Sequence, residues 1–211
     1  MFNSPCGYLS VRVGPMRSGK TDWLRSNATK FSDLGECVIY INSSLDDNES
    51  RGIAGGDGVN YTSHSSSSTK FSDNVTMQKS FKLEDIDVEN YDVICIDEAQ
   101  FFDDLYECTL KWFLTDNKHI FVSSLDGSFK QEPIGDVYKL MPLAQEFIKL
   151  SAVCQLCVTE NRQTSLNMRF RHNKASHTML KGASVNDDVI QPGCTSDYFS
   201  VCTYHLKNFD Y

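Results

Sequence analysis

Apolar residues in this chain gather in short unbroken runs separated by amphipathic stretches, the arrangement expected of buried parallel strands alternating with helices. Val11-Arg12-Val13 leads into a turn, Cys37-Val38-Ile39-Tyr40-Ile41 is a second run, and Val93-Ile94-Cys95-Ile96 a third. His119-Ile120-Phe121-Val122-Ser123-Ser124-Leu125 reads as a fourth strand, and Ile148-Lys149-Leu150 as a final short one. Between them, periodic spacing predicts helices over residues 21–34, closed by Gly35, and over residues 105–115. Further helical spacing runs through residues 137–140 and 142–147. The alternation predicts an α/β fold: a parallel sheet with helices on both faces.

Two regions break the pattern. Residues 42–73 are dominated by Ser, Gly, Asn and Asp around Ser65-Ser66-Ser67-Ser68, which predicts a long mobile polar loop, with a short hairpin around Val59-Asn60-Tyr61. Its Asp46, Arg51 and His64 read either as phosphate contacts or as solvated loop charges. From Ser151 onward apolar residues are few, and cysteines gather instead.

The turn after the first run is Gly14-Pro15-Met16-Arg17-Ser18-Gly19-Lys20-Thr21, a Gly-x-x-x-x-Gly-Lys-Thr phosphate-binding loop. Its backbone N–H groups and the positive end of the following helix dipole would face phosphate. Lys20 would reach the β- and γ-phosphates, and the Thr21 hydroxyl would ligate Mg²⁺. The third run ends in Asp97-Glu98, at the strand end where ligands bind in open α/β sheets. Asp97 there would assist Mg²⁺ beside Thr21, unless the two acids serve as a helix cap. In the tail, Cys154-Gln155-Leu156-Cys157 and Cys202-Thr203-Tyr204-His205 repeat one two-residue gap, and together they supply a tetrahedral Zn²⁺ set. Cys194 stands apart, a competing ligand without a partner at that spacing.

The full 211 residues suit one medium domain, or one domain plus a small appendage, and 40% hydrophobic content is enough for a core. A net charge of −8 without a Lys/Arg cluster argues against a nucleic-acid partner. With no leader pattern and no long apolar run, the expectation is a soluble, cytoplasmic protein without a membrane partner. Cys37 and Cys95 lie inside apolar runs and read as buried free thiols. A guanine-reading Asn-Lys-x-Asp is missing its acid at Asn117-Lys118-His119, which weakens a GTPase reading.

Taken in order, these motifs resemble the type II thymidine kinases, the cytosolic and large-DNA-virus family. The resemblance is carried by residues 14–21, Ile96-Asp97-Glu98-Ala99-Gln100-Phe101-Phe102, Leu125-Asp126-Gly127-Ser128-Phe129, Pro142-Leu143-Ala144, residues 149–157 and residues 197–202, so it spans nearly the whole chain. It implies a P-loop kinase domain over residues 1–150 and a zinc-binding lasso domain over residues 151–211, assembled as a homo-oligomer, a tetramer. The implied reaction is ATP-dependent phosphorylation of the 5′-hydroxyl of thymidine. By position, Gly14, Pro15, Met16, Arg17, Ser18, Gly19, Lys20, Thr21, Asp97 and Gln100 would serve ATP and its Mg²⁺, and Glu98 would take the hydroxyl proton. Met16, Phe101, Leu125, Phe129 and Tyr198 would line the nucleoside pocket. Departures from the family pattern include Arg17 in place of an aromatic and Ile134 in place of Phe. Arg51 stands late for a phosphate-contacting arginine, and Thr164-Ser165-Leu166-Asn167-Met168-Arg169 stands where a small-x-aromatic-Thr-x-Arg segment is expected.

Overall fold

The computed structural model describes residues 6–45, 75–163, 174–181 and 198–208. The expected hairpin at Val59, most of the polar loop, Arg51, the 164–169 segment and Cys194 lie outside the described residues. The chain divides into two compact units: Met1–Arg12, Lys20–Ser124 and Gly135–Ile148 form the first, and Val13–Gly19, Leu125–Ile134 and Lys149–Tyr211 the second.

The first unit is built on a parallel sheet of β1 (Tyr8–Val13), β2 (Val38–Ser43), β3 (Val75–Ser80), β4 (Val93–Ile96), β5 (His119–Ser124) and β6 (Glu146–Lys149), in the order β3-β2-β4-β5-β1-β6. Register places Tyr40, Met77, Cys95 and Phe121 in one row across the sheet, and Ile39, Ile94 and Ile120 in a row of the opposite face. On the first of these faces lies α1 (Lys20–Asp33), whose Leu24, Ala28 and Phe31 share a core cluster with Val38, Tyr40, Val93, Cys95 and Phe121. The four- and three-residue steps between those helix positions put them on a single stripe. Phe31 and Phe121 meet at a tilt with ring centroids 5.3 Å apart, so truncating Phe31 to Ala would cost about 3–5 kcal/mol. The helix ends in a Schellman turn, with Gly35 N–H donating to the Ser32 carbonyl and Glu36 N–H to that of Phe31. Isoleucines 39, 41, 94, 96 and 120 on the other face are equally withdrawn from water, and α2 (Leu105–Leu114) packs beside β5.

The described residues of the second unit form only short elements. They comprise β7 (Ala152–Val153) paired antiparallel with β8 (Lys174–Ala175), and β9 (His177–Leu180) paired antiparallel with β10 (Tyr198–Val201). The unit's described residues also form two short helices, α3 (Gln155–Gln163) and α4 (Thr203–Lys207).

Four expectations need correction. Residues 137–140 form a single 3₁₀ turn rather than an α-helix. The helical spacing at 142–147 gives way to a turn and then β6, which starts at Glu146, because Gln145 N–H donates to the Leu9 carbonyl and Leu150 N–H to that of Val13; the ladder with β1 overrides local periodicity. Asn42 and Ser43 belong to β2 rather than to the polar loop. Cys37 is exposed, one residue short of its strand, whereas Cys95 is buried as expected. The sequence reading also passed over β3, an edge strand carrying Lys79.

Candidate active site

At the carboxyl end of β4 the chain presents its two acids to different surroundings. Asp97 is only 4% exposed. Tyr40 Oη donates to its Oδ2 at 2.6 Å, while Ser123 Oγ at 2.8 Å and Thr21 Oγ1 at 3.3 Å donate to Oδ1. Those partners come from β2, β5 and the first turn of α1, whose side chains the register brings to the same face. Burial pushes the Asp97 carboxyl up and the neighbouring Glu98 charge adds to the shift, against the lowering effect of the Tyr40 and Ser123 hydrogen bonds. Burial and the Asp97 charge likewise push the Tyr40 phenol well above its ordinary value. A buried carboxylate beside the phosphate-loop threonine offers oxygen ligands that could hold a Mg²⁺ ion.

Glu98 sits at φ 49°, in the left-handed region. Its carboxylate is half-buried, and Gln100 Nε2 donates to Glu98 Oε2 at 2.6 Å. Gln100 is itself fixed by Ser124 Oγ, which donates to its Oε1 at 3.1 Å, so the amide orientation follows from its two partners. The Gln100 backbone is packed against Gly135, where an added Cβ would lie 2.7 Å from the Gln100 carbonyl oxygen. Phe101 is half-buried on the same 3₁₀ turn, Ala99–Phe101.

The phosphate-loop segment belongs to the second unit as far as Gly19, and Lys20, 6% exposed, opens α1. At Gly14 an added Cβ would lie 2.8 Å from the Leu150 carbonyl oxygen and 3.0 Å from Ser18 Oγ, so the close approach of β1's end to the chain after β6 excludes a side chain there. Arg17 takes φ 60° and is exposed. Ser18 Oγ is buried without a hydrogen-bond partner among the described residues. An orphaned hydroxyl inside a phosphate-loop motif fits an anionic oxygen.

Of the proposed nucleoside-contacting residues, Phe129 and Tyr198 meet in one cluster with Leu180. Met16 is held by the hairpin of β9 and β10: its N–H donates to Thr178 Oγ1 at 3.3 Å, and its carbonyl accepts from Ser200 Oγ. Leu125 is half-buried at the start of the loop that carries Phe129. Gln131 ties that loop to β9, donating from Nε2 to the Thr178 carbonyl at 2.9 Å. Leu180, Thr178, Ser200 and Gln131 escaped the sequence reading, as did Tyr40, Ser123 and Ser124. Only the last three left a trace, as hydroxyls in or closing otherwise apolar strands.

Cys154, Cys157, Cys202 and His205 are all buried, with their ligand atoms within 4.8 Å of one another. His205 Nδ1 lies 3.3 Å from the sulfurs of Cys154 and Cys202 and 3.5 Å from that of Cys157, and the Cys157 and Cys202 sulfurs are 3.9 Å apart. Zn–S of about 2.3 Å and Zn–N of about 2.0 Å in a tetrahedron require S···N edges of about 3.5 Å and S···S edges of about 3.8 Å, so the set could hold zinc. His205 Nε2 faces Glu160 Oε1 at 2.8 Å, the outer carboxylate that orients a metal-binding imidazole. Burial opposes charge on either group, yet hydrogen bonds from His205 and the neighbouring thiols bring Cys202 down to about 7, and those with Glu160 and the thiols lift His205 to about 9. Around the four ligands pack Ala152, Ala175, Met179 and Val201.

Comparison with known proteins agrees with this arrangement. The family model described as "Thymidine kinase" matches residues 7–206. A thymidine kinase of Ureaplasma parvum serovar 3 is 31% identical over 98% of this chain and 85% of its own length. Thymidine kinase a of Arabidopsis thaliana is 33% identical over 92% of this chain and 76% of the plant protein. The thymidine kinase of Yaba monkey tumor virus is 32% identical over 74% of the chain and 79% of the viral protein. A family match along nearly the whole chain, over a phosphate loop joined to a buried acid and a Cys₃His cluster, makes this chain an enzyme of the thymidine kinase family.

Proposed function

We propose that this chain transfers the γ-phosphoryl group of ATP to the 5′-hydroxyl of thymidine, giving thymidine monophosphate and ADP, with Glu98 as the general base. The observation that carries the reading is the Ser124–Gln100–Glu98 chain of hydrogen bonds, which fixes a partly exposed carboxylate directly after the buried Asp97. Phosphoryl transfer asks the protein for positioning and charge stabilisation rather than covalent chemistry. Lys20 and the amides of residues 17–19 would hold the phosphates, and Thr21 with Asp97 would hold Mg²⁺. Bound there, the ion supplies charge neutralisation on the β- and γ-phosphates. With Oε2 engaged by Gln100, Glu98 accepts the 5′-hydroxyl proton at Oε1 as that oxygen attacks phosphorus and the bond to the ADP oxygen breaks.

In this reading Met16, Phe101, Leu125, Phe129 and Tyr198 contact the nucleoside, and zinc at Cys154, Cys157, Cys202 and His205 anchors the β9–β10 hairpin that carries Tyr198. The kinase portion is residues 1–150 and the lasso residues 151–211. The family resemblance supports a homotetramer in the cytoplasm, and no helix among the described residues is long and apolar enough to cross a membrane. The test is transfer of label from γ-labelled ATP to a panel of nucleosides. Thymidine should be the preferred acceptor, and deoxyuridine a poorer one. Faster labelling of purine deoxynucleosides, or hydrolysis of ATP indifferent to nucleoside, would overturn the assignment.

A further inference from the structure

Met16 lies in the middle of the phosphate loop, yet the second unit fastens its peptide groups from outside that loop. Thr178 on β9 accepts its N–H, and Ser200 on β10 donates to its carbonyl. These two side chains are not neighbours by accident. Thr178 and Ser200 stand directly opposite each other in the antiparallel register of the hairpin, so their side chains project from the same face about 4.5–5.5 Å apart. Ser200 is fully buried, and Thr178 is 5% exposed. Each has its own backbone pinned from a different direction. Ser200 N–H donates to Gln155 Oε1 at 2.9 Å, from the residue after the ligand Cys154, and the Thr178 carbonyl accepts from Gln131 Nε2 at 2.9 Å. One donor and one acceptor, rigidly spaced, thus match the acceptor and donor of a single residue.

We infer that Thr178 and Ser200 are positioning residues for the phosphate loop: a two-point clamp through which the metal-anchored hairpin sets the loop's conformation for a nucleotide di- or triphosphate. The clamp occupies the Met16 amide, so the phosphate-facing donors are the N–H groups after it, where Arg17 turns the backbone through the left-handed region. Freed from the clamp, Met16 can rotate its peptide groups, and the following amides lose their common direction. The hydroxyls themselves never touch phosphate; they act through Met16. The inference rests on the proposed use of Mg-ATP, and its test separates the two.

The experiment uses the full-length, zinc-loaded chain and Mg-ADP as probe, with calorimetric affinity and hydrogen exchange of the Met16 amide read together. Thr178→Val keeps the shape without the hydroxyl, and Ser200→Ala removes the donor. Each should weaken Mg-ADP about five- to tenfold, the effect of one net hydrogen bond, at undiminished zinc content. Thr178→Ser keeps the acceptor and should bind within about twofold of the parent. In ligand-free protein the Met16 amide should be protected, and Thr178→Val should abolish that protection. Should Ser200→Ala fail to fold, the Thr178 pair decides alone. Parent-like affinity and Met16 protection in Thr178→Val would overturn the clamp, as would an equal loss in Thr178→Ser. If the parent itself ignores Mg-ADP, the kinase reading fails, and the exchange result alone then decides for or against the clamp.

Discussion

The sheet end and the hairpin beside the Cys₃His cluster hold functional groups in place by opposite means. At the sheet end, Asp97 rises from a strand whose four residues are all buried, between two other buried strands, and apolar packing supplies the rigidity. In the hairpin unit the strands are two to four residues long. Among the described residues the core around the four ligands is Ala152, Ala175, Met179 and Val201, with Leu156, Phe199 and Leu206 only partly buried against it. So little apolar surface cannot outweigh the entropy of ordering the chain. A metal, worth about 10–16 kcal/mol in zinc-finger peptides, can. The first region should therefore survive insults that dissolve the second.

The largest effect that would break or sharpen this contrast is removal of zinc. Cys202→Ser, or exhaustive chelation, should abolish thymidine phosphorylation and strip hydrogen-exchange protection from β9 and β10, while β2, β4 and β5 keep theirs. Simultaneous loss in all five strands would show that the contrast is false. Next comes Glu98→Gln, which keeps the shape and the Gln100 contact but not the base. Turnover should fall about 10²–10⁴-fold with the melting temperature and ATP affinity little changed; turnover within a few-fold of the parent would remove Glu98 from the role. Smaller again is the discrimination by one methyl group. Deoxyuridine should lose about 1–3 kcal/mol of kcat/KM relative to thymidine, since Phe129, Leu180 and Tyr198 form an apolar cluster.

The smallest effect concerns Asp97. Burial raises its folded-state pKa above the ordinary 3.8. The proton is therefore bound more tightly in the folded protein, and the associated stability is present below the ordinary value and lost as pH rises through the raised one. Asp97→Asn removes that loss. In magnesium-free buffer at neutral pH the variant should melt above the parent while losing kinase activity, and a lower melting temperature would show that its hydrogen bonds outweigh burial.

How much of this could be read from the chain varies with what sets each feature. Strands β2, β4 and β5 are continuous apolar runs because they are buried on both faces, and the phosphate loop and the Cys-x2-Cys and Cys-x2-His pairs carry their spacing in sequence. β6 begins two residues before the strand legible at Ile148, because Glu146 and Phe147 fit a helix locally and only the ladder with β1 decides otherwise. β9 went unseen for a similar reason. His177 and Thr178 offer little apolar periodicity, and their partners lie in β10 and the phosphate loop, far along the chain. The link from Ser124 through Gln100 to Glu98 has no signature at all, because it exists only once β4 and β5 lie side by side.

Gly135 gives the enzyme a vulnerability that its chemistry does not advertise. The residue bears no functional group, and its carbon would collide with the Gln100 backbone at 2.7–3.1 Å if it carried even one methyl. Because Gln100 holds the Glu98 carboxylate proposed as the base, a harmless-looking alanine at position 135 would be transmitted as a displacement of that carboxylate. Selection on this family member would therefore guard an empty space as strictly as it guards a side chain, and a survey of inactivating changes should find one 37 positions from Glu98.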